Sequence, residues 1–316
     1  MKRWLLVSVA VCSLTASATA ADVSVIDEPA PVVEEAVPTF SFEAGLRYWY
    51  STGEASKDLY DTSGASLVSR LTYEDLNAHS GEVFFNATHN PTGIFVKGLL
   101  GGGGITQGSL IDEDFPPFLD VYSSTVSDQD GGDIAYATID LGYNFWNTPQ
   151  YRVGAFVGYN FWNESYDAFG CAQQAANPAI CVPDIPSDVA VISQDNNWHS
   201  LRLGLSGQTQ LTERLSLSGD AAFLLSWLDG EDRHHLRPDI NPIPEDGDGY
   251  GVQLEAVLSY RLTDQFDIGI GGRYWWVKSD DGTAHFEETP GGGFPQVEDW
   301  ETERYGVFVQ ASYKFN

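Results

Sequence analysis

The sequence predicts an all-β protein, a ten-stranded antiparallel transmembrane β-barrel. Three observations carry that prediction. Apolar and polar residues alternate with a period of two over most of the chain after residue 38. Short turn segments alternate with long polar ones. The expected strand ends are rich in aromatics, as in Tyr48-Trp49-Tyr50, Phe161-Trp162 and Tyr274-Trp275-Trp276.

The chain opens on an export signal at residues 1–20. Lys2 and Arg3 are followed by a short, mostly apolar run from Leu5 to Leu14 and by the small-residue site Ala18-Thr19-Ala20. Cleavage is placed after Ala20, with Ala21 as the alternative. No later stretch is apolar over the roughly 18 residues a spanning helix needs. Residues 21–38 hold Asp22, Asp27, Glu28, Glu34 and Glu35 among three prolines and read as a disordered periplasmic lead-in. The barrel then occupies residues 39–316.

From Thr39 the period-two pattern takes over. Between Gly251 and Leu262, Val252, Leu254, Ala256, Leu258, Tyr260 and Leu262 share one face, while Gln253, Glu255, Ser259 and Arg261 share the other with Val257. Near the C-terminus Tyr305, Val307, Val309, Ala311, Tyr313 and Phe315 oppose Gly306, Gln310, Ser312 and Lys314. Apolar-out, polar-in alternation is what a closed membrane barrel requires, because lipid offers no partner to an unpaired backbone edge. A soluble sandwich alternates too, but lacks a reason for the export signal and the aromatic strand ends.

The turns set the strand number. Four tight connections recur, at 89–92, 147–150, 211–214 and 262–265. Between them lie five longer polar segments, about 52–64, 106–131, 164–196, 228–249 and 278–302. Short turns face the periplasm and long loops face outward. Ten strands follow with both termini inside. The stretch from Ala65 to Thr88 exceeds the ~9–11 residues that a tilted strand needs to cross a bilayer, so the barrel is expected to stand above the membrane.

With 16 Lys+Arg against 45 Asp+Glu, the formal charge is -29. That argues against nucleic acid and favours cationic partners, although solubility and divalent-ion or lipopolysaccharide chemistry at the surface read the same way. Of three cysteines, Cys12 leaves with the signal. Cys171 and Cys181 then most simply form a disulfide within one loop, since a metal site needs more ligands than that loop shows.

Two outer segments carry chemistry. The second holds Asp112, Glu113 and Asp114 without any Lys or Arg, and the fourth holds Asp232-Arg233-His234. They follow the third and seventh expected strands, which face each other across a ten-stranded barrel. Histidine acts as a general base near neutral pH when a carboxylate holds its ring. A close carboxylate pair shares a proton and orients a water, because two near charges resist simultaneous ionisation.

At these residues the sequence resembles the omptin family of outer-membrane proteases, from about Val68 to the end. Ile111-Asp112-Glu113-Asp114-Phe115 is similar to the family's Val-Asp-x-Asp-Trp after the third strand. Asp232-Arg233-His234, a few residues after Trp227, is similar to its Asp-x-His. Val68-Ser69-x-Leu71 and Asn147 to Arg152 followed by Gly158-Tyr159 also look like the family. The resemblance implies an aspartic-type endopeptidase of the Gram-negative outer membrane, active at its outer rim. Asp232 and His234 would form a dyad, Asp112 and Asp114 the opposing couple, and a water between Asp112 and His234 the nucleophile, without a metal or other cofactor. Substrates would be peptides or proteins, expected to be cationic. Omptin pockets use acidic residues to select a basic side chain; one such place is Gly230 here and the other falls near Lys57-Asp58, so Asp229, Glu231 and Asp58 are the candidate substrate-binding residues. Of the family's lipopolysaccharide-binding stretch, aligned with Tyr159, Phe161 and Asn163, only the tyrosine matches, which leaves dependence on that lipid open. The competing reading is a non-enzymatic barrel, adhesive, structural or porin-like, with acidic surface loops.

Overall fold

The computed structural model describes residues 38–315 apart from 116–120, 149, 176 and 178. The expected export signal and all but the last residue of the expected lead-in lie outside the described residues. Eleven strands form one closed antiparallel ring. They are β1 (Phe40–Tyr60), β2 (Leu67–His89), β3 (Ile94–Asp114), β4 (Ser123–Gly131), β5 (Asp133–Asn147), β6 (Tyr151–Gln173), β7 (Ile185–Gln210), β8 (Leu215–His234), β9 (Ile243–Arg261), β10 (Phe266–Ala284) and β11 (Gln296–Phe315). Closure comes from β1 against β11, in register from Phe42↔Phe315 to Leu59↔Glu298. Among the described residues no strand edge is left unpaired, which satisfies the backbone in lipid.

The ten-stave expectation and the eleven strands differ at one residue. β4 and β5 both pair with β3 and β6, as the upper and lower parts of one stave. Gly132 separates them at φ +141°, where an added Cβ would lie 2.2 Å from the Ser165 carbonyl oxygen. Only glycine takes that conformation and that close approach together.

The expected long loops are mostly strand. The outer connections shrink to residues 61–66, 115–122, 174–184, 235–242 and 285–295, because β1, β2, β3, β6, β7 and β8 run on for 20 to 26 residues each. The physical reason is a reversal of polarity along each stave. On β8, Leu217, Phe223, Leu225 and Trp227 face outward and are exposed, while Ser226 faces in. Directly beyond Trp227 the outward positions are Asp229, Glu231 and Arg233, and Leu228 is buried inside. On β11, outward Val309, Val307 and Tyr305 give way to Glu303 and Glu301, while Thr302 and Trp300 are buried inside. Within the bilayer the outer face must be apolar; above it the outer face meets water and the interior becomes a protein core. The segments at 52–64 and 228–249 looked like loops because their polar residues lie on the outside of a strand.

Tyr50, Trp227, Tyr250 and Tyr305 mark the outer girdle, and Phe42, Tyr143, Trp146, Tyr151, Tyr260 and Phe315 the inner one. At the level of the outer girdle the lumen is closed by rings. Trp275 packs edge-on against Trp49 (5.2 Å), Tyr136 (5.0 Å) and Trp162 (5.3 Å). Below, ion pairs cross the lumen: Arg273 meets Glu82 (2.5 Å) and Glu255 (2.7 Å), and Arg47 meets Glu255 (2.9 Å). A barrel of this size is filled by side chains, as its strand number implies.

Candidate active site

The site sits above the aromatic floor, on strand ends beyond the outer girdle. Asp232 and His234 lie five and seven residues past Trp227 on β8. Inward positions on this strand are the even ones, Leu224, Ser226, Leu228 and Gly230, and the two site residues continue that row. His234 Nε2 is 3.1 Å from Asp232 Oδ2. The Asp232 side chain is 2% exposed and that of His234 20% exposed, so the carboxylate is sealed and the ring reaches the mouth.

Asp112 and Asp114 come from β3 on the facing wall. Asp112 opposes Leu71 of β2 and Thr125 of β4, and Asp114 opposes Ser69 and Ser123. They continue the inward row of buried Leu110. Burial first, and then the Asp114 charge, push the Asp112 carboxyl up to about 7 against the pull of His234. Asp114 is raised by burial, with Arg237 and His234 opposing. Burial would raise Asp232 too, but the charges of His234 and Lys57 and their hydrogen bonds hold it well below the usual carboxylate range. His234 is raised: burial lowers its proton affinity, but the Asp232 charge and hydrogen bond outweigh that, with Asp112 adding to them and Lys57 opposing. The four groups thus feel one another electrostatically across the mouth. One carboxylate is held ionised against the ring, and another opposite retains a proton near neutral pH, which is the asymmetry that acid–base work on a water needs.

The three expected substrate-binding residues are not brought to this site. Asp58, Asp229 and Glu231 all occupy outward positions. Asp58 is clamped by Arg70 on the outer wall through bonds of 2.5 and 2.6 Å. Glu231 accepts a 2.5 Å hydrogen bond from Arg233, and Asp229 is exposed. The correction is one of parity, because a period-two strand sends neighbours to opposite faces.

The inward neighbours, not singled out from sequence, are Lys57, Glu245 and Glu298. Lys57 reaches from β1 across the barrel to Asp232 (2.5 Å) and Glu245 (2.6 Å) on the far wall. Trp300 Nε1 and Gln194 Nε2 donate to Glu245 Oε2 at 3.3 and 2.7 Å. Gly230 borders this group; a Cβ there would lie 3.0 Å from Asn196 Oδ1 and 3.3 Å from Glu245 Oε2. Extending the inward row Arg47, Trp49, Ser51, Gly53, Ala55 by one step would have found Lys57, had the segment been read as strand.

Other predicted features find places away from the mouth centre. Cys171 and Cys181 are disulfide-bonded with Cα atoms 5.7 Å apart. Tyr159, Phe161 and Asn163 lie on the outward row of β6, and the Tyr159 hydroxyl meets His199 Nδ1 at 2.6 Å. Among the described residues, the metal-capable cluster of His285, Glu287 and Glu288 lies at the rim. Its histidine already contacts Asp246 (2.7 Å) and Glu287 (2.9 Å), and it shares no residue with the site above.

Residues 41–290 match the model of the omptin family. The fold is similar to the crystal structure of the outer membrane protease OmpT from Escherichia coli, at a TM-score of 0.73 and 15% identity, covering 89% of this chain and 99% of that one. The translocator domain of the autotransporter NalP from Neisseria meningitidis aligns at a TM-score of 0.36 and 11% identity, over 86% of this chain and 88% of that one. No curated protein matches the sequence.

Proposed function

The chain belongs to the omptin family, and from that premise we propose that it is an endopeptidase whose nucleophile is a water activated between His234 and Asp112. Family and fold support an outer-membrane protease of the Gram-negative envelope. The 3.1 Å contact between His234 and the sealed Asp232 carboxylate is the observation that carries the water-activating reading.

With His234 Nε2–H given to Asp232, the other ring nitrogen is left to take a proton from water. The hydroxide so formed adds to the scissile carbonyl. Asp112 and Asp114, sharing a proton near neutral pH, hold the water and face the oxyanion. The collapsing intermediate then takes the proton from His234 at the leaving amine. Every step uses side chains alone, and no metal or other cofactor is needed. The chain's charge of -29 supports attraction of cationic peptides to the rim, an effect that weakens as salt rises. Tyr159, the one match to the family's lipopolysaccharide-binding stretch, lies on the outward row of β6, so activity is to be compared with and without that lipid.

The test is cleavage of a panel of unstructured peptides by the refolded barrel. His234→Ala and Asp112→Asn are each expected to lose about 10²–10⁴-fold in kcat, the usual contribution of a general acid–base group. His235, whose Nε2 meets Ser193 Oγ at 2.8 Å on the exposed side, supplies the control, and its Ala variant keeps its activity. Activity falls on the acid side as His234 takes up a proton. That limb should lie above the ordinary histidine range, because Asp232 raises the ring. A limb at or below that range, or full activity in His234→Ala, sinks the mechanism. No cleavage of any peptide, with or without lipopolysaccharide, favours the non-enzymatic barrel.

A further inference from the structure

We infer that Lys57 is the resident cation of the carboxylate pocket behind the dyad: it positions Asp232 for His234 and fills the place where an external alkylammonium would otherwise bind. Its ammonium is 3% exposed and crosses from β1 to the far wall to meet Asp232 Oδ2 at 2.5 Å and Glu245 Oε1 at 2.6 Å. The same Asp232 oxygen is the one 3.1 Å from His234 Nε2. One carboxylate oxygen therefore serves both cation and imidazole, and the lysine fixes where that oxygen lies.

The rest of the pocket is acidic or polar and built tightly. Glu298 from β11 is 0% exposed and neither of its oxygens has a hydrogen-bond partner. Burial, and then the Glu245 charge, hold Glu298 well above the usual carboxylate range, so it stays protonated. The Trp300 ring lies 5.7 Å from the ammonium and Gln194 secures Glu245. Three buried acids, Asp232, Glu245 and Glu298, thus surround a single cation, which contacts the first two directly. Without it the buried charges would be uncompensated, a state that buried ion pairs do not tolerate.

Lys57 also acts on His234 from a distance. The charged groups facing that ring are Asp232 on its own strand, Asp112 and Asp114 on β3, and Lys57 on β1. On β7 the residue paired with His234, Ile192, carries no charge, and on β9 the residue paired with Asp232, Ile243, carries none either. Lys57 is the cation of this set, and its removal lets the ring hold its proton to higher pH.

The kinetic part of this inference rests on the water-activating reading, so the experiment has an arm that does not. In Lys57→Ala the displaced Asp232 is expected to lower kcat about 10²-fold, the scale of a misplaced catalytic group. Ethylammonium chloride should restore activity saturably, because it fits the space the truncated side chain leaves. Lys57→Met, which fills that space without charge, should be slow and unrescued, with its acid limb moved to higher pH. Independently of cleavage, ethylammonium should raise the melting temperature of Lys57→Ala but not that of wild type or Lys57→Met. If wild type cleaves nothing, that melting titration alone decides. Wild-type activity and an unchanged acid limb in both variants, or no saturable ethylammonium effect on the melting of Lys57→Ala, overturns the inference. Should Lys57→Ala fail to refold, Lys57→Gln keeps it testable: its acid limb should move up, and an unmoved limb overturns it.

Discussion

The lower and upper halves of this barrel are built from the same staves with opposite polarity. Below the outer girdle β10 shows Ile268 and Ile270 to lipid and Arg273 to the lumen, where it is buried against Glu82 and Glu255. Above it, β8 shows Asp229 and Glu231 to water, and β11 buries Trp300 inside. Backbone geometry does not change between the two; only the outside solvent does. The lumen within lipid is crossed by ion pairs such as Arg273–Glu82, whereas the interior above lipid buries Leu228 and Trp300 around the Lys57, Asp232 and Glu245 cluster. That core supports a rigid, sealed carboxylate such as Asp232 beside a ring that still reaches the mouth.

The largest effect that would sharpen this contrast is expected at Asp232. Asp232→Asn removes the carboxylate that orients and charges His234 and should cost about 10²–10⁴-fold in kcat. Its membrane band is untouched, so heat-modifiable migration on a gel should remain that of a folded barrel. Loss of folding would mean that the upper core holds up the lower half as well.

Next comes the lipid face. Ile270→Arg places a cation on the outer wall between the girdles and should destabilise the barrel in bilayers by about 2–4 kcal/mol, read from reversible urea unfolding. Near-neutral behaviour there would place the membrane elsewhere on the staves.

The Cys171–Cys181 bond closes a loop with a sequence separation of 10. By chain entropy it contributes about 2–3 kcal/mol against opening of that upper hairpin. Replacing both by Ser should make residues 174–184 the first site nicked by an added protease, while the membrane band keeps its unfolding midpoint. A midpoint that falls with the nicking would join the two halves into one cooperative unit.

The smallest effect is expected at the outward acids above the girdle. Asp229→Asn and Glu231→Gln should each change stability by no more than about 0.5 kcal/mol. Neither faces the site, so kcat should hold, with only a modest salt-dependent change in KM for cationic peptides. A large loss of kcat would return these residues to the substrate pocket that parity denies them.

Much of the molecule could be read before any coordinates. Alternation from Val252 to Leu262 and tight turns at regular intervals define the barrel, because lipid imposes its polarity on every second residue; the aromatic clusters expected at strand ends lie mid-strand, with Trp49, Trp162 and Trp275 buried in the lumen. Asp112, Asp114, Asp232 and His234 could be named because two short motifs stand in the right order on facing segments. The extent of the strands above the membrane was not legible. There the outer face is water, so polar residues signal loop and strand alike, and hydropathy loses the contrast that reveals period two. Where strand and loop share a polar composition, parity is hidden, and the sequence points to Asp58, Asp229 and Glu231 while the inward positions hold Lys57 and Glu245. Only the folded ring decides that Lys57 meets Asp232, 175 residues away in sequence. That contact depends on the closure of β1 against β11 and on strand register, neither of which a local pattern encodes.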